Sequence, residues 1–166
     1  MTATCKNSHR LRTGRRYLAN HYYHLTTTTV DREPVFADFG AARGLIHTLR
    51  KATETEAVIS VAFVVMPDHL HWLVQSLDGR IDILMRRVKS ESSQKLGRPV
   101  WQKGYHDRCL RREEDIREVA RYIIANPLRA GLVRSVREYP HWDAAFVQAA
   151  APPSAGKPAP TNVPPL

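Results

Sequence analysis

Residues 58–75 read VISVAFVVMPDHLHWLVQ and contain the clearest strand signals of the chain. Val58–Met66 is almost continuously apolar and rich in valine, which is typical of a strand buried on both faces. Pro67 and Asp68 form a turn pair, and His69–Gln75 has the composition of a returning strand. This stretch therefore predicts a β-hairpin.

The segments on either side of the hairpin predict one further strand before it and a mixture of helices and strand after it. Tyr and Thr residues favour a strand, and apolar residues recurring every three to four positions favour a helix. We expect a strand at 22–30, a helix at 38–54, a second helix from Ile81, a weak strand within 99–110 and a third helix at 113–126. The order β-α-β-β-α-β-α predicts an α+β, ferredoxin-like (split βαβ) fold, an antiparallel sheet with helices on one face plus an added C-terminal helix.

Composition bounds the domain organisation of this 166-residue chain. Residues 1–16 are polar and basic without apolar periodicity, which predicts a basic flexible arm. Residues 149–166 contain six of the eleven prolines and predict a disordered Pro/Ala-rich tail. We therefore expect one folded domain over residues 17–148.

Several classes of protein are disfavoured by the sequence. The longest apolar stretch is about half the roughly 20 residues of a membrane span, and no apolar segment follows the basic N-terminus as it would in a secretory signal. Cys5 and Cys109 are too few for a disulfide framework. We expect a cytoplasmic protein with no membrane partner.

The charge balance favours a polyanionic partner. Lys and Arg total 25 against 16 acidic residues, giving a net charge of +9. Residues 1–17 contain five basic residues and no acid, and residues 86–112 contain nine basic residues and two acids. A solvated face is the ordinary alternative, but tyrosine and tryptophan residues near both runs favour nucleic acid. The basic candidates for DNA contact are Arg12, Arg15, Arg16, Arg86, Arg87 and Lys89.

His69 and His71 are candidate metal ligands. Side chains alternate along a strand, so the two imidazoles are expected on one face, where they would form half of a metal site. A chance pair satisfied by hydrogen bonds is the alternative.

The third helix carries a second candidate group. At about 100° per residue, Tyr122 and Asn126 share its polar arc. They could present a nucleophilic hydroxyl and an amide oxygen to a common point. The alternatives are a half-buried tyrosine and an asparagine that caps the helix before Pro127.

Four segments together carry a resemblance to a known family. They are MPDHLHWLV (66–74), WQKGYHDRCLR (101–111), YIIANPLRAGLV (122–133) and the early segment RTGRRYLANHYYHLTTTTVDREPVF (12–36). In their order and spacing along the chain, they resemble the REP-associated tyrosine transposases, relatives of the single-strand transposases of the HUH endonuclease superfamily. The resemblance spans residues 12–142.

The resemblance implies a role for each candidate residue. His69 and His71 correspond to the histidines that bind a divalent metal, Tyr122 to the nucleophile on the C-terminal helix, and Asn126 to the remaining metal ligand. Insertion-sequence members generally have Gln at the last position, and Asn is one methylene shorter. Tyr105 is the competing nucleophile, because it also lies in one of the matching segments.

The resemblance also implies the cofactor, the partner and the reaction. Imidazole and amide ligands alone would favour Zn²⁺ or Mn²⁺, whereas the family pattern implies Mg²⁺ or Mn²⁺. The expected activity is cleavage and strand transfer of single-stranded or hairpin DNA at repeated extragenic palindromes through a 5′-phosphotyrosine, in the bacterial cytoplasm near the nucleoid. A domesticated DNA- or RNA-binding regulator that does not cut is the alternative, and the sequence does not decide between monomer and homodimer.

Overall fold

The computed structural model describes residues 16–111 and 116–145. The expected arm, except Arg16, and the expected tail lie outside these residues. In the described part of the chain, no helix is long and apolar enough to cross a membrane.

The described residues form an α+β structure in which strands and helices follow the predicted order and a short strand is added at the end. The strands are β1 (His21–Thr28), β2 (Val58–Met66), β3 (His69–Ser76), β4 (His106–Cys109) and β5 (Trp142–Ala144). The helices are α1 (Phe39–Thr55), α2 (Ile81–Lys95), α3 (Ile116–Ile124) and α4 (Asn126–Arg129). Short 3₁₀ turns lie at Val30–Arg32, Val35–Ala37 and Val136–Glu138.

The five strands form one antiparallel sheet in the order β4-β1-β3-β2-β5. The predicted hairpin lies at its centre, with Met66 opposite His69 at the turn. A register shift between Ser60 and Ala62 changes which face the following residues of β2 occupy. Val58 and Phe63 therefore both contribute to the same core although their positions differ in parity.

Helices α1 and α2 cover the first face of the sheet. Their apolar residues, such as Leu45 and Met85, pack with Leu25, Trp72 and the other residues of the larger core. Helix α1 begins where the Asp38 carboxylate accepts a hydrogen bond from the Ala41 amide, a standard N-cap. The predicted pair of helices on one face is confirmed.

Helix α3 covers the second face. Ala120 and Ile123 are fully buried and pack with Val64 and Leu73 of the two central strands in a separate core. The added C-terminal helix that the sequence predicts therefore lies across the sheet from α1 and α2. Because β2 is apolar on both faces, it is covered on both.

Two boundaries differ from the sequence predictions. The third helix does not run to Asn126: α3 ends at Ile124, and Asn126 begins α4 with Pro127 in its first turn. Pro is favoured in the first turn of a helix because an N–H at that position would have no helical partner, so Pro127 is compatible with the first turn of α4. Strand β5 was not predicted, since three residues give too little pattern.

Candidate functional site

A patch of polar side chains lies on the second face of the sheet, where β4, β1 and β3 are neighbours. Thr26 of β1 is directly opposite His71 of β3 on one side and His106 of β4 on the other. Residues opposite each other in an antiparallel pair share a face. His69 shares the face with His71, and their ring centroids are 4.9 Å apart in an edge-to-face arrangement. The sequence prediction that both imidazoles lie on one face agrees with this geometry.

His69 is held by the residue that precedes it. Its Nδ1 lies 2.5 Å from Oδ1 of Asp68, whose other carboxylate oxygen accepts a hydrogen bond from Arg32 at 3.1 Å. Burial alone would raise the pKa of Asp68, but the hydrogen bonds from His69 and Arg32 lower it below its usual value. An ionised Asp68 accepts a hydrogen bond from the Nδ1–H group of His69, which leaves Nε2 as the ring nitrogen with a lone pair.

His71 is held by two side chains of β1. Its Nδ1 lies 3.0 Å from the Thr26 hydroxyl and 3.1 Å from Nε2 of His24. Burial, and then the neighbouring His24 and His69, lower the pKa of His71 to about 3. Burial, and then the charge of Arg108, lowers the pKa of His24 to about 4. Both rings are therefore neutral near pH 7, and neutral imidazole is the form that binds metals.

These contacts fit part of a divalent metal site. A metal-bound imidazole usually donates its other ring N–H to a carboxylate or another acceptor, and His69 and His71 both have such a neighbour at Nδ1. Their Nε2 atoms would hold the metal. Within residues 16–111 and 116–145, no group of three or more His, Cys, Asp and Glu side chains could hold a metal ion. Two ligands fit, and among the described residues a third protein ligand would be of another type.

Tyr122 lies on α3, the helix that packs on the face of the sheet occupied by the two histidines. Its side chain is 48% exposed. The Arg129 guanidinium lies over the ring, with its carbon 4.5 Å from the ring centroid. Among the described residues, no hydrogen bond joins Tyr122 to His69 or His71. The structure thus places the two histidines and the helix of Tyr122 on one face of the sheet.

Asn126 is the first residue of α4, directly after the break at Ala125. Its side-chain nitrogen donates to the backbone carbonyls of Tyr122, at 3.1 Å, and Ile123, at 2.9 Å. These are carbonyls of the last turn of α3, which otherwise lack helical partners. The capping role that the sequence left open is therefore present, and the amide oxygen is the atom left for ligation.

Tyr105, the competing nucleophile, is placed differently. Its hydroxyl lies 2.7 Å from the hydroxyl of Tyr17, and its ring packs against the larger core beneath α1 and α2. That core is on the first face of the sheet, opposite the histidines. The geometry favours Tyr122 over Tyr105.

The basic residues singled out by the sequence are also on different parts of the fold. Arg16 and Arg86 are exposed, whereas Arg12 and Arg15 lie outside the described residues. Arg87 pairs with Glu56 and with Glu91, and the Lys89 ammonium donates to the carbonyls of Gln102 and Gly104. Helix α2, which carries Arg86, Arg87 and Lys89, covers the first face. Their role in DNA binding stays a prediction.

Sequence reasoning missed several residues that the structure gathers around the candidate site. His24, Thr26 and Asp68 contact the two histidines, and exposed Arg108 lies directly opposite His24. A signal was available in the alternation HLT at 24–26, which places His24 and Thr26 on one face of a strand. Arg129 could not be found in this way, because its contact with Tyr122 depends on the break after α3.

The fold and sequence match a family of transposases. The family described as "Transposase IS200 like" matches residues 17–126, and the chain belongs to this family. The REP-associated tyrosine transposase of Escherichia coli (strain K12) is 27% identical over 99 residues, covering 58% of this chain and 60% of that protein. A putative REP-associated tyrosine transposase of Haemophilus influenzae is 24% identical over 99 residues, covering 49% and 56%. The chain thus spans somewhat more than half the length of these relatives.

Two solved structures are similar to this one. A REP-associated tyrosine transposase bound to a REP hairpin superposes with a TM-score of 0.72 at 20% identity, covering 92% of this chain and 100% of that chain. A putative transposase from Deinococcus radiodurans R1 gives a TM-score of 0.50 at 26% identity, covering 68% and 95%. The first match confirms the predicted fold class.

Proposed function

We propose that this protein cleaves and rejoins single-stranded DNA at hairpin-forming palindromes, with Tyr122 as the nucleophile and a divalent metal held by His69 and His71. The observation that carries the proposal is the packing of α3, the helix of Tyr122, on the sheet face that presents both histidines. Family membership supports a transposase, and two relatives are named as REP-associated tyrosine transposases.

Each residue of the site has a distinct task in this reaction. His69 and His71 would hold the metal through Nε2, with the amide oxygen of Asn126 as the proposed third protein ligand. Mg²⁺ or Mn²⁺, when bound, polarises the scissile phosphate and offsets charge that develops on it. Asp68, His24 and Thr26 orient the two imidazoles through Nδ1, so that the ligands are placed before DNA arrives.

The covalent step exchanges one phosphodiester for another. The Tyr122 Oη forms a bond to phosphorus and the bond from phosphorus to the 3′ oxygen breaks. The phenolic proton passes to solvent and the departing 3′ oxygen takes up a proton. The product is a 5′-phosphotyrosine and a free 3′-OH. Because the tyrosyl ester is a diester like its substrate, a 3′-OH can attack it and rejoin the strand.

The DNA partner is proposed from charge and from the solved relative. The net charge is +9, and the relative with the higher TM-score was solved with a REP hairpin. Phosphate contacts supply affinity without sequence information. Exposed arginines near the site, Arg108 and Arg129, are candidates for such contacts beside those that the sequence predicts.

A denaturing gel tests the proposal. Protein is incubated with a labelled hairpin oligonucleotide and Mn²⁺, and a covalent protein–DNA band is measured for wild type, Tyr122→Phe and Tyr105→Phe. We expect the band from wild type and Tyr105→Phe and none from Tyr122→Phe, with hairpin binding within a few-fold of wild type. A band from Tyr122→Phe would refute the assigned nucleophile.

A second candidate function is hairpin binding without cutting. The observations that favour it are the net charge of +9 and the REP hairpin bound by the solved relative, which support hairpin binding whether or not a strand is cut. The same gel separates the two functions. A binder shifts the hairpin on a native gel and forms no covalent band.

A further inference from the structure

The Arg129 side chain contacts the ring of the proposed nucleophile, Tyr122. Its guanidinium carbon is 4.5 Å from the centroid of the Tyr122 ring, a distance typical of a cation–π contact. Both residues are exposed, so packing of the core does not force the contact. An exposed arginine that does not pack in the hydrophobic core can contact a ligand at the surface.

The chain between the two residues determines this contact. Tyr122 and Arg129 are seven residues apart, and in an uninterrupted helix they would be separated by about 10 Å along the axis. Here α3 ends at Ile124 and α4 begins at Asn126, whose side chain is bonded to the Tyr122 and Ile123 carbonyls. The direction in which α4 leaves α3 therefore decides whether the guanidinium reaches the ring.

The chemistry of arginine suits a position beside a nucleophile that attacks a phosphodiester. The guanidinium stays charged at all relevant pH values, stacks on aromatic faces and binds phosphate oxygens in pairs. One face of the group can rest on Tyr122 while its N–H edges stay directed to solvent. The phosphate attacked by Tyr122 Oη must come close to this same ring.

We propose that Arg129 is a positioning residue for Tyr122, which holds the ring in place and brings the scissile phosphate to it. This inference rests on the proposed function, in which Tyr122 is the nucleophile. It assigns to the segment after the tyrosine a part in the reaction itself, beyond its part in folding.

The experiment measures covalent adduct formation in a single turnover with saturating hairpin DNA and Mn²⁺, together with hairpin affinity. Arg129→Gln removes the charge and the stacking, and Arg129→Lys keeps the charge. Arg121→Gln is the matched control, since Arg121 is an exposed arginine adjacent to Tyr122 on α3. Circular dichroism confirms that each variant is folded.

We expect Arg129→Gln to slow adduct formation by about 10- to 100-fold, the size of effect that misplacing a reacting group produces. Hairpin affinity should fall by no more than about threefold, since one of many phosphate contacts is lost. Arg129→Lys should recover part of the rate, and Arg121→Gln should stay within about twofold of wild type. Millimolar guanidinium should partly restore the rate of Arg129→Ala without accelerating the wild type, which a merely structural role would not produce.

Three results would overturn the inference. Equal rates for Arg129→Gln and wild type would show that the contact has no part in the reaction. Equal losses in Arg129→Gln and Arg121→Gln would assign the effect to general surface charge. Adduct formation by Tyr122→Phe would refute the proposed nucleophile as well as this inference. If Tyr122→Phe forms no adduct but Arg129→Gln reacts at the wild-type rate, only the role of Arg129 is refuted.

Discussion

Removal of the His24 imidazole should weaken metal binding, although His24 is not itself one of the proposed metal ligands. Two side chains of the described residues, His24 and Thr26, lie within hydrogen-bond distance of His71 Nδ1, at 3.1 and 3.0 Å. If His71 binds the metal through Nε2, its Nδ1 carries a proton and needs an acceptor. His24→Phe keeps an aromatic ring at this position and removes one of the two hydrogen-bond acceptors.

The size of the effect follows from this shared contact. Loss of an outer partner of a metal-binding histidine typically lowers metal affinity 10- to 100-fold, equal to about 1.4–2.8 kcal/mol. Because Thr26 still accepts from Nδ1 in His24→Phe, we expect about a 10-fold loss, at the lower end of that range. The double variant His24→Phe with Thr26→Val leaves Nδ1 without either partner, and its loss should approach 100-fold.

Calorimetric titration with Mn²⁺ in the presence of the hairpin measures these affinities directly. His47→Phe is the control, because His47 is an exposed histidine on α1, which covers the opposite face of the sheet. Its Mn²⁺ affinity should equal that of the wild type. An unchanged isotherm in the double variant would refute the reasoning and return His71 to a purely structural role.

Two further predictions concern stability and the basic arm. Tyr139 donates a buried hydrogen bond to the Val65 carbonyl at 2.7 Å, so Tyr139→Phe should lower the free energy of unfolding by about 1–2 kcal/mol in urea; an unchanged midpoint would contradict this. Burial raises the pKa of Tyr139 to about 12, above the value near 10 that a tyrosine has in the unfolded chain. The stability that the Tyr139 hydroxyl contributes is therefore lost as the pH rises from about 10 to about 12, and Tyr139→Phe should lose less stability than the wild type over that range. Deletion of residues 1–16 should weaken hairpin binding and flatten its salt dependence, by roughly 0.7 in the slope of log affinity against log salt for each lost phosphate contact. Deletion of residues 149–166 is the control and should change neither. Equal slopes for the wild type and both deletion variants would show that the arm makes no phosphate contacts.

The local pattern was enough to predict the centre of the fold. Val58–Met66 was predicted with the observed bounds, and the turn at Pro67 and Asp68 is where it was expected. The common face of His69 and His71 follows from strand alternation alone, because nothing long-range is needed to place residues i and i+2 on one side.

Features that depend on distant residues were not predictable. Arg87 and Lys89 appear in the sequence as a basic run, but Glu56 and the carbonyls of Gln102 and Gly104 reach them only after folding. The contacts of His24 with His71 join residues 47 positions apart. Periodicity describes the face of an element and says little about what that face meets.

The break at Ala125 shows the same limit within a single helix. Tyr122 and Asn126 share a helical arc in the sequence, but the arc ends at Ile124 because Asn126 caps the carbonyls and Pro127 begins a new turn. A pattern of residue types is compatible with one long helix or two short ones. In the structure, Arg129 contacts Tyr122 across the break between the two helices.

The most direct test of the account identifies the amino acid joined to DNA. Trypsin cleaves after Arg121 and Arg129 and releases YIIANPLR, in which Tyr122 is the only tyrosine, whereas Tyr105 lies in GYHDR. After incubation with a hairpin and Mn²⁺ and nuclease digestion, we expect mass spectrometry to find the nucleotide remnant on YIIANPLR. A remnant on GYHDR, or none on any tyrosine peptide of an active preparation, would contradict the central claim.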